Sequence, residues 1–293
     1  MLTCALQSDS NEIGEARRRE LQVSREFAAE LGRSVVEATQ TGSYPLDDGG
    51  VVDWAALVDA AVAGKVSIAP DDPLPDPRGG AFAETRVEVC NETTLGAARR
   101  LVDRGFQPLA LNFANGLHPG GGFLHGARAQ EEVLCRSSAL FATLVGDPMY
   151  DAHAQRHLPD SSDWLVYSPQ VPVFRTDDGT TLDEPWLLDF VTGAAPYAPT
   201  VGQPRSGDLL QKRIHRVLAV ARAYGHSALV LGAWGCGAFR NDPVRTARDF
   251  RHALENEFRG AFEVVTFAVT DWSPERRYLG PFRETFANLE VNP

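Results

Sequence analysis

From residue 84 onward the chain alternates short apolar runs with amphipathic stretches, and this alternation limits the possible folds more than any other feature. Thr85–Cys90 (TRVEVC) alternates like a strand. Residues 93–104 then place Leu95, Ala98, Leu101 and Val102 at helical spacing, and residues 108–113 (PLALNF) are again a short apolar strand. Strand, helix and strand at this spacing form a βαβ unit, because parallel strands need a crossover long enough to hold a helix. Further strands are predicted at 188–192, Ala228–Leu231 and 262–270, and amphipathic helices at 131–145, 208–224 and 243–258. The pattern predicts an α/β fold, a three-layer α/β/α domain.

Residues 1–80 read differently. Residues 11–32 are strongly charged, with apolar positions at Ile13, Ala16, Leu21, Phe27, Ala28 and Leu31, and predict one exposed helix ending at Gly32. Residues 40–50 are turn-rich, 54–62 read as a short helix, and 70–80 (PDDPLPDPRGG) show no periodicity. Such small apolar faces cannot stand alone. Residues 1–80 are therefore expected to be a mostly helical N-terminal extension packed on a core of residues 81–293.

Charge narrows the partners. Lys and Arg number 28 against 39 Asp and Glu, a net charge of −11. That argues against a nucleic-acid coat or a membrane-surface binder, both of which need basic patches against phosphate. It leaves open a phosphate held by backbone N–H groups. The cysteines (Cys4, Cys90, Cys135, Cys236) form no CxxC pair, which argues against structural zinc, and Cys90 and Cys135 read as buried thiols. No apolar run approaches the ~18 residues of a membrane span. With no signal-peptide pattern, a cytoplasmic protein is expected. His153 and His157 lie four apart without the glutamate of a zinc-protease motif, and read as surface histidines. Trp164, Trp186, Trp234 and Trp272 read as core or cleft-wall residues.

Two glycine-rich segments carry the chemistry. In residues 112–132 (NFANGLHPGGGFLHGARAQEE) a strand runs into a loop with three consecutive glycines, and a helix then opens on Gln130, Glu131 and Glu132. Carboxylates in a first turn suit the helix dipole, which is one reading of the pair. The other is that the glycines let a ligand approach closely and one glutamate reaches into a cleft, since adjacent helix positions point ~100° apart. In residues 229–243 (LVLGAWGCGAFRNDP) a strand leads through Gly232, Gly235 and Gly237 to a helix, which reads as an N–H cradle for phosphate or as a glycine-lined turn. It matches neither a Walker loop nor the dinucleotide fingerprint. The small residues of 192–199 (TGAAPYAP) could line the same cleft.

GGGFLHGARAQEE resembles the signature of the poly(ADP-ribose) glycohydrolases, and LGAWGCGAF resembles their diphosphate-binding loop. VEVCNETTLGAARRLV and DWLVYSPQVPVFR are similar to segments of the shorter bacterial type, so the resemblance spans roughly residues 10–285. It implies a macrodomain-like core that hydrolyses the ribose–ribose O-glycosidic bond of poly(ADP-ribose), releasing ADP-ribose. No metal or other cofactor is expected, because backbone N–H groups would handle the diphosphate and the sequence shows no acidic metal cluster. The implied partners are poly(ADP-ribose) or ADP-ribose and ADP-ribosylated proteins, with no membrane and no direct nucleic acid. Glu132 matches the catalytic glutamate and Glu131 the neighbour that holds a ribose. Gly120, Gly121 and Gly122 match the loop over that pair, and Asn115 the asparagine at the distal ribose. Gly235, Gly237, Ala238 and Phe239 match the loop around the diphosphate, with Phe239 against the distal ribose. Gln130 and Cys236 complete the expected substrate-binding set, and Thr270 is expected at the edge of the adenine pocket. Residues 193–197 depart from the family's frequent Ala-Pro-Ala-Pro-Asn, which leaves the contact made there open. A non-catalytic ADP-ribose reader and a hydrolase of another ADP-ribose linkage are the competing readings.

Overall fold

The computed structural model describes residues 1–77 and 81–287, so the end of the proline-rich stretch, residues 78–80, lies outside the described residues. Eight strands form the main sheet: β1 (Leu2–Leu6), β4 (Val66–Ile68), β5 (Thr85–Cys90), β6 (Pro108–Ala114), β7 (Leu165–Arg175), β8 (Thr181–Ala194), β9 (Ala228–Leu231) and β10 (Val264–Ala268). Their order is β1-β5-β10-β9-β6-β8-β7-β4. The first six are mutually parallel, and β7 and β4 close the other edge antiparallel. A small hairpin pairs β2 (Ser43–Pro45) with β3 (Val51–Asp53) inside the turn-rich segment.

Each central strand buries both faces. Leu229 and Leu231 of β9 join one apolar cluster while Ala228 and Val230 join the other, as the two-residue period of a strand requires. One face is covered by α9 (Arg205–Ala223), α10 (Pro243–Glu255) and α11 (Leu279–Ala287), through Ile214, Phe250 and Phe282 among others. The other is covered by α2 (Arg25–Thr41), α3 (Ala55–Gly64), α4 (Thr94–Asp103) and α5 (Gln130–Ser137), through Val35, Val58, Leu101 and Leu134. At about 1.5–3 kcal/mol for each large side chain buried, these two clusters are the main favourable term. Two strands from the N-terminal part of the chain, β1 and β4, are the two edge strands of this sheet.

The helix expected over 11–32 is two helices, α1 (Asn11–Leu21) and α2. Ser24 interrupts them by capping α2, its hydroxyl accepting from the Phe27 N–H at 3.0 Å. Gly32 does not end a helix; α2 runs through it to Gly42, which has the left-handed φ of a C-cap. Gly32 is glycine for contact: a Cβ there would lie 2.8 Å from the Phe123 carbonyl oxygen. The helix expected over 131–145 also breaks, into α5 and α6 (Leu140–Leu144), because Ser138 turns extended and its hydroxyl bonds the Leu134 carbonyl and the Leu140 N–H. The expected surface pair of histidines divides: α7 (Pro148–Ala154) ends between them, His153 is buried and His157 is exposed.

Gly32→Val should lower stability by about 1–3 kcal/mol in urea unfolding, the usual cost of overpacking, despite valine's better helix propensity than glycine's. An unchanged midpoint would show that the α2 contact with the 123–125 turn is not tight.

Candidate active site

The parallel strands β6, β8, β9 and β10 end side by side, so the loops at 115–122, 195–197, 232–239 and 269–272 meet at one edge. Crevices outside the carboxyl ends of such strands are where α/β sheets bind ligands. The crevice opens because β9 pairs with β6 only over Pro108–Ala110. Beyond that, Gln130 takes the place of a strand. Its Oε1 accepts from the Phe113 N–H at 2.9 Å, and its Nε2 donates to the Leu111 carbonyl at 2.7 Å and to Thr94 Oγ1 at 3.1 Å. With both ends of its amide committed, Gln130 ties the first turn of α5 to the sheet.

That tie places Glu131 and Glu132, which are 3% and 8% exposed, in the crevice. Glu131 Oε2 accepts from the Asn115 N–H at 2.7 Å, and Glu132 Oε1 from the Gly122 N–H at 3.0 Å. Glu131 Oε1 and Glu132 Oε2 take no hydrogen bond from the described residues. The glycine loop is shaped around the pair: Gly120 and Gly121 both have left-handed φ, and a Cβ on Gly121 would stand 2.4 Å from Glu132 Oε1. Asn115 Oδ1 accepts from the Leu117 and His118 N–H groups, fixing the turn that carries it. Burial above all pushes the Glu131 carboxyl up to about 8, with the Glu132 charge adding to it against the Asn115 N–H.

The facing wall is the 232–239 loop. Among the described residues, the N–H groups of Gly235, Gly237, Ala238 and Phe239 donate to no backbone carbonyl. Gly235 has φ +75°, and a Cβ on it would meet Ala195 at 2.7 Å and Asn241 Nδ2 at 2.8 Å. Asn241 holds the loop by donating to the Pro196 and Gly235 carbonyls. In the 193–197 segment Tyr197, at the start of α8 (Ala198–Val201), packs edge-on against Phe239 at 5.9 Å, and the Ala198 N–H donates to the Phe239 carbonyl.

A cavity of about 710 Å³ joins the two walls. Asn115, Gln130, Glu131, Glu132, Gly235, Gly237, Ala238, Phe239 and Thr270 all line it. Gly120, Gly121 and Gly122 do not line it, Gly121 packing against the two carboxylates, and Cys236 turns inward to Thr246, its thiol pushed up to about 12 by burial. Sequence reasoning did not bring to the site Arg18 and Leu21 of α1, Gln22 just after it, Arg128, or Asp177 after β7. Local pattern holds no signal for these, since only the tertiary fold brings them to the crevice. Among the described residues no cluster of His, Cys, Asp and Glu could hold a metal ion, and no helix is long and apolar enough to cross a membrane.

The raised Glu131 group makes stability pH-dependent. The unfolded chain loses this proton near 4.5 and the folded chain near 8, so the cost of burying the carboxyl is absent below 4.5, grows between the two and is full above 8. Glu131→Gln removes the cost while keeping an acceptor for the Asn115 N–H. It should match wild type near pH 4.5 and exceed it by a few kcal/mol near pH 8.5 in urea unfolding, on the order of the shift. A difference that does not change with pH would contradict this.

Comparison with known proteins agrees with this geometry. Residues 32–176 match the family model described as microbial-type PARG, catalytic domain. The chain is 42% identical to the poly(ADP-ribose) glycohydrolase of Thermomonospora curvata, with a TM-score of 0.84 over 89% of this chain and 100% of that one. The same enzyme bound to the inhibitor ADP-HPD matches at 42% identity and a TM-score of 0.82, again over 89% and 100%. The Deinococcus radiodurans enzyme in complex with ADP-ribose matches at 43% identity and a TM-score of 0.72, over 78% of this chain and 96% of that one. No curated protein matches. With such identity to a relative covered from end to end, this chain belongs to the microbial-type poly(ADP-ribose) glycohydrolase family.

Proposed function

We propose that this chain hydrolyses the ribose–ribose O-glycosidic bond of poly(ADP-ribose) and releases ADP-ribose, with Glu132 as the catalytic residue. The observation that carries this reading is the Glu132 carboxyl itself. It borders the cavity with Oε1 fixed by the Gly122 N–H and Oε2 without a protein partner. A module that only reads ADP-ribose needs no such group.

Glu131 and Glu132 are successive residues on one turn, so they cannot flank a glycosidic bond as two-carboxylate glycosidases do. One residue must then act twice. In the substrate complex, where the bound diphosphate adds negative charge beside the pair, Glu132 carries a proton and gives it to the departing 2′-oxygen of the neighbouring adenosine as the C1″–O bond breaks. Positive charge develops on the distal ribose, with the substrate's own diphosphate nearby to stabilise it. Glu132, now ionised, takes a proton from the water that attacks C1″. Glu131 and Asn115 orient the distal ribose. The unpaired N–H groups at 235–239 hold the diphosphate, which binds a polyanion without net positive charge. Thr270 edges the adenine end. In this reading residues 1–80 extend a catalytic core of residues 81–293, and the C-terminal end of α1 forms one wall of the cavity through Arg18, Leu21 and the capping Gln22.

Glu132→Gln keeps an acceptor for the Gly122 N–H but can neither give nor take the proton. Its turnover of purified polymer should fall below a few per cent of wild type, with ADP-ribose affinity within about threefold, as for a group that acts in the transition state. Turnover above that level would remove Glu132 from its role.

A further inference from the structure

His153 lies outside the cavity wall, yet its hydrogen bonds lead directly to it. Its Nε2 accepts from the Ser162 N–H at 3.0 Å, so the ring's one proton sits on Nδ1. Nδ1 is 3.1 Å from the Gly116 carbonyl oxygen and therefore donates to it. The same peptide unit is gripped at its other end, where the Leu117 N–H donates to Asn115 Oδ1 at 2.8 Å. One peptide thus links the imidazole to the Asn115 carboxamide, and the Asn115 N–H in turn holds Glu131. The support behind His153 is rigid. Asp147 caps α7 through the Met149 N–H, and buried Arg213 ties the 160–163 loop down through the Asp160 carbonyl and the Asp163 carboxylate. Gly116 leaves no slack, since a Cβ there would stand 2.4 Å from Ser161 Oγ.

We propose that His153 is a positioning residue for the hydrolysis: by fixing the 116–117 peptide it sets the orientation of Asn115 and, through it, of Glu131. Arg213, Arg156 and Asp160 are the charged groups around the ring; burial with the two arginines holds the imidazole down at about 4, so it works as the neutral tautomer. The inference rests on the site assignment above.

The test compares His153→Phe with His153→Asn. Asparagine's Nδ2 occupies the place of the imidazole Nδ1 and can still donate to Gly116, whereas phenylalanine fills the space without a donor. In His153→Phe, kcat on polymer should fall about tenfold or more, as for a small misplacement of a catalytic constellation, with ADP-ribose Kd within about threefold. His153→Asn should recover kcat to within about threefold of wild type. Gly116→Ala, whose Cβ would crowd Ser161 Oγ and stand 3.3 Å from His153 Nδ1, displaces the same peptide, should reproduce the kcat loss and serves if His153→Phe fails to fold. Overturning results are a His153→Phe or Gly116→Ala enzyme with wild-type kcat, a loss confined to Kd, or His153→Asn no better than His153→Phe. Glu132→Gln is run alongside: if it stays active the site assignment fails, whereas if it is inactive and His153→Phe is fully active only the positioning role falls.

Discussion

The Gln130 carboxamide closes the side of β6 that β9 leaves open, and the rest of the site depends on that substitution of a side chain for a strand. It bonds one carbonyl and one N–H of the strand and a threonine of α4. The first turn of α5 is thereby fixed to within hydrogen-bond tolerance of the sheet's end. Glu131 and Glu132 follow directly in the chain, so their backbone positions are set by the sheet and not by a mobile loop. Sites carried on regular elements hold their geometry better than sites on loops. The glycine loop adds the second restraint, with backbone N–H groups on one oxygen of each carboxylate.

Two acidic groups buried side by side carry a cost, and the structure meets it without a cationic side chain bonded to either carboxylate. Burial and the neighbouring charge favour a proton on Glu131, which relieves the pair at neutral pH. The opposite wall is a run of N–H groups on a neutral loop. In the proposed reading the cavity offers an anion-accepting wall to the diphosphate and a proton-bearing wall to the ribose. A net charge of −11 is consistent with both, because neither wall relies on lysine or arginine.

Much of this was legible in the sequence where the signal was local. The parallel core strands showed as apolar runs bounded by turns, and the two glycine loops showed because close approach of backbone to a partner leaves glycine behind. The edge strands did not, because Leu2–Leu6 and Val66–Ile68 are short and take their identity from the neighbours they pair with. Gly32 misled for a related reason: a glycine inside a helix looks like a stop, whereas here it admits the Phe123 carbonyl. His153 was hidden by its spacing to His157, which suggested a shared exposed face. Its partners come from two loops distant in sequence, and local pattern does not report them. Gln130 read as a substrate contact, and its bonds to β6 come from a strand distant in sequence that local pattern does not report.

The most direct test of the account is incubation of the purified wild-type protein with purified poly(ADP-ribose), scored for free ADP-ribose. Steady release of ADP-ribose is the predicted result. Binding of the polymer without release, or release only from singly ADP-ribosylated protein, would contradict it.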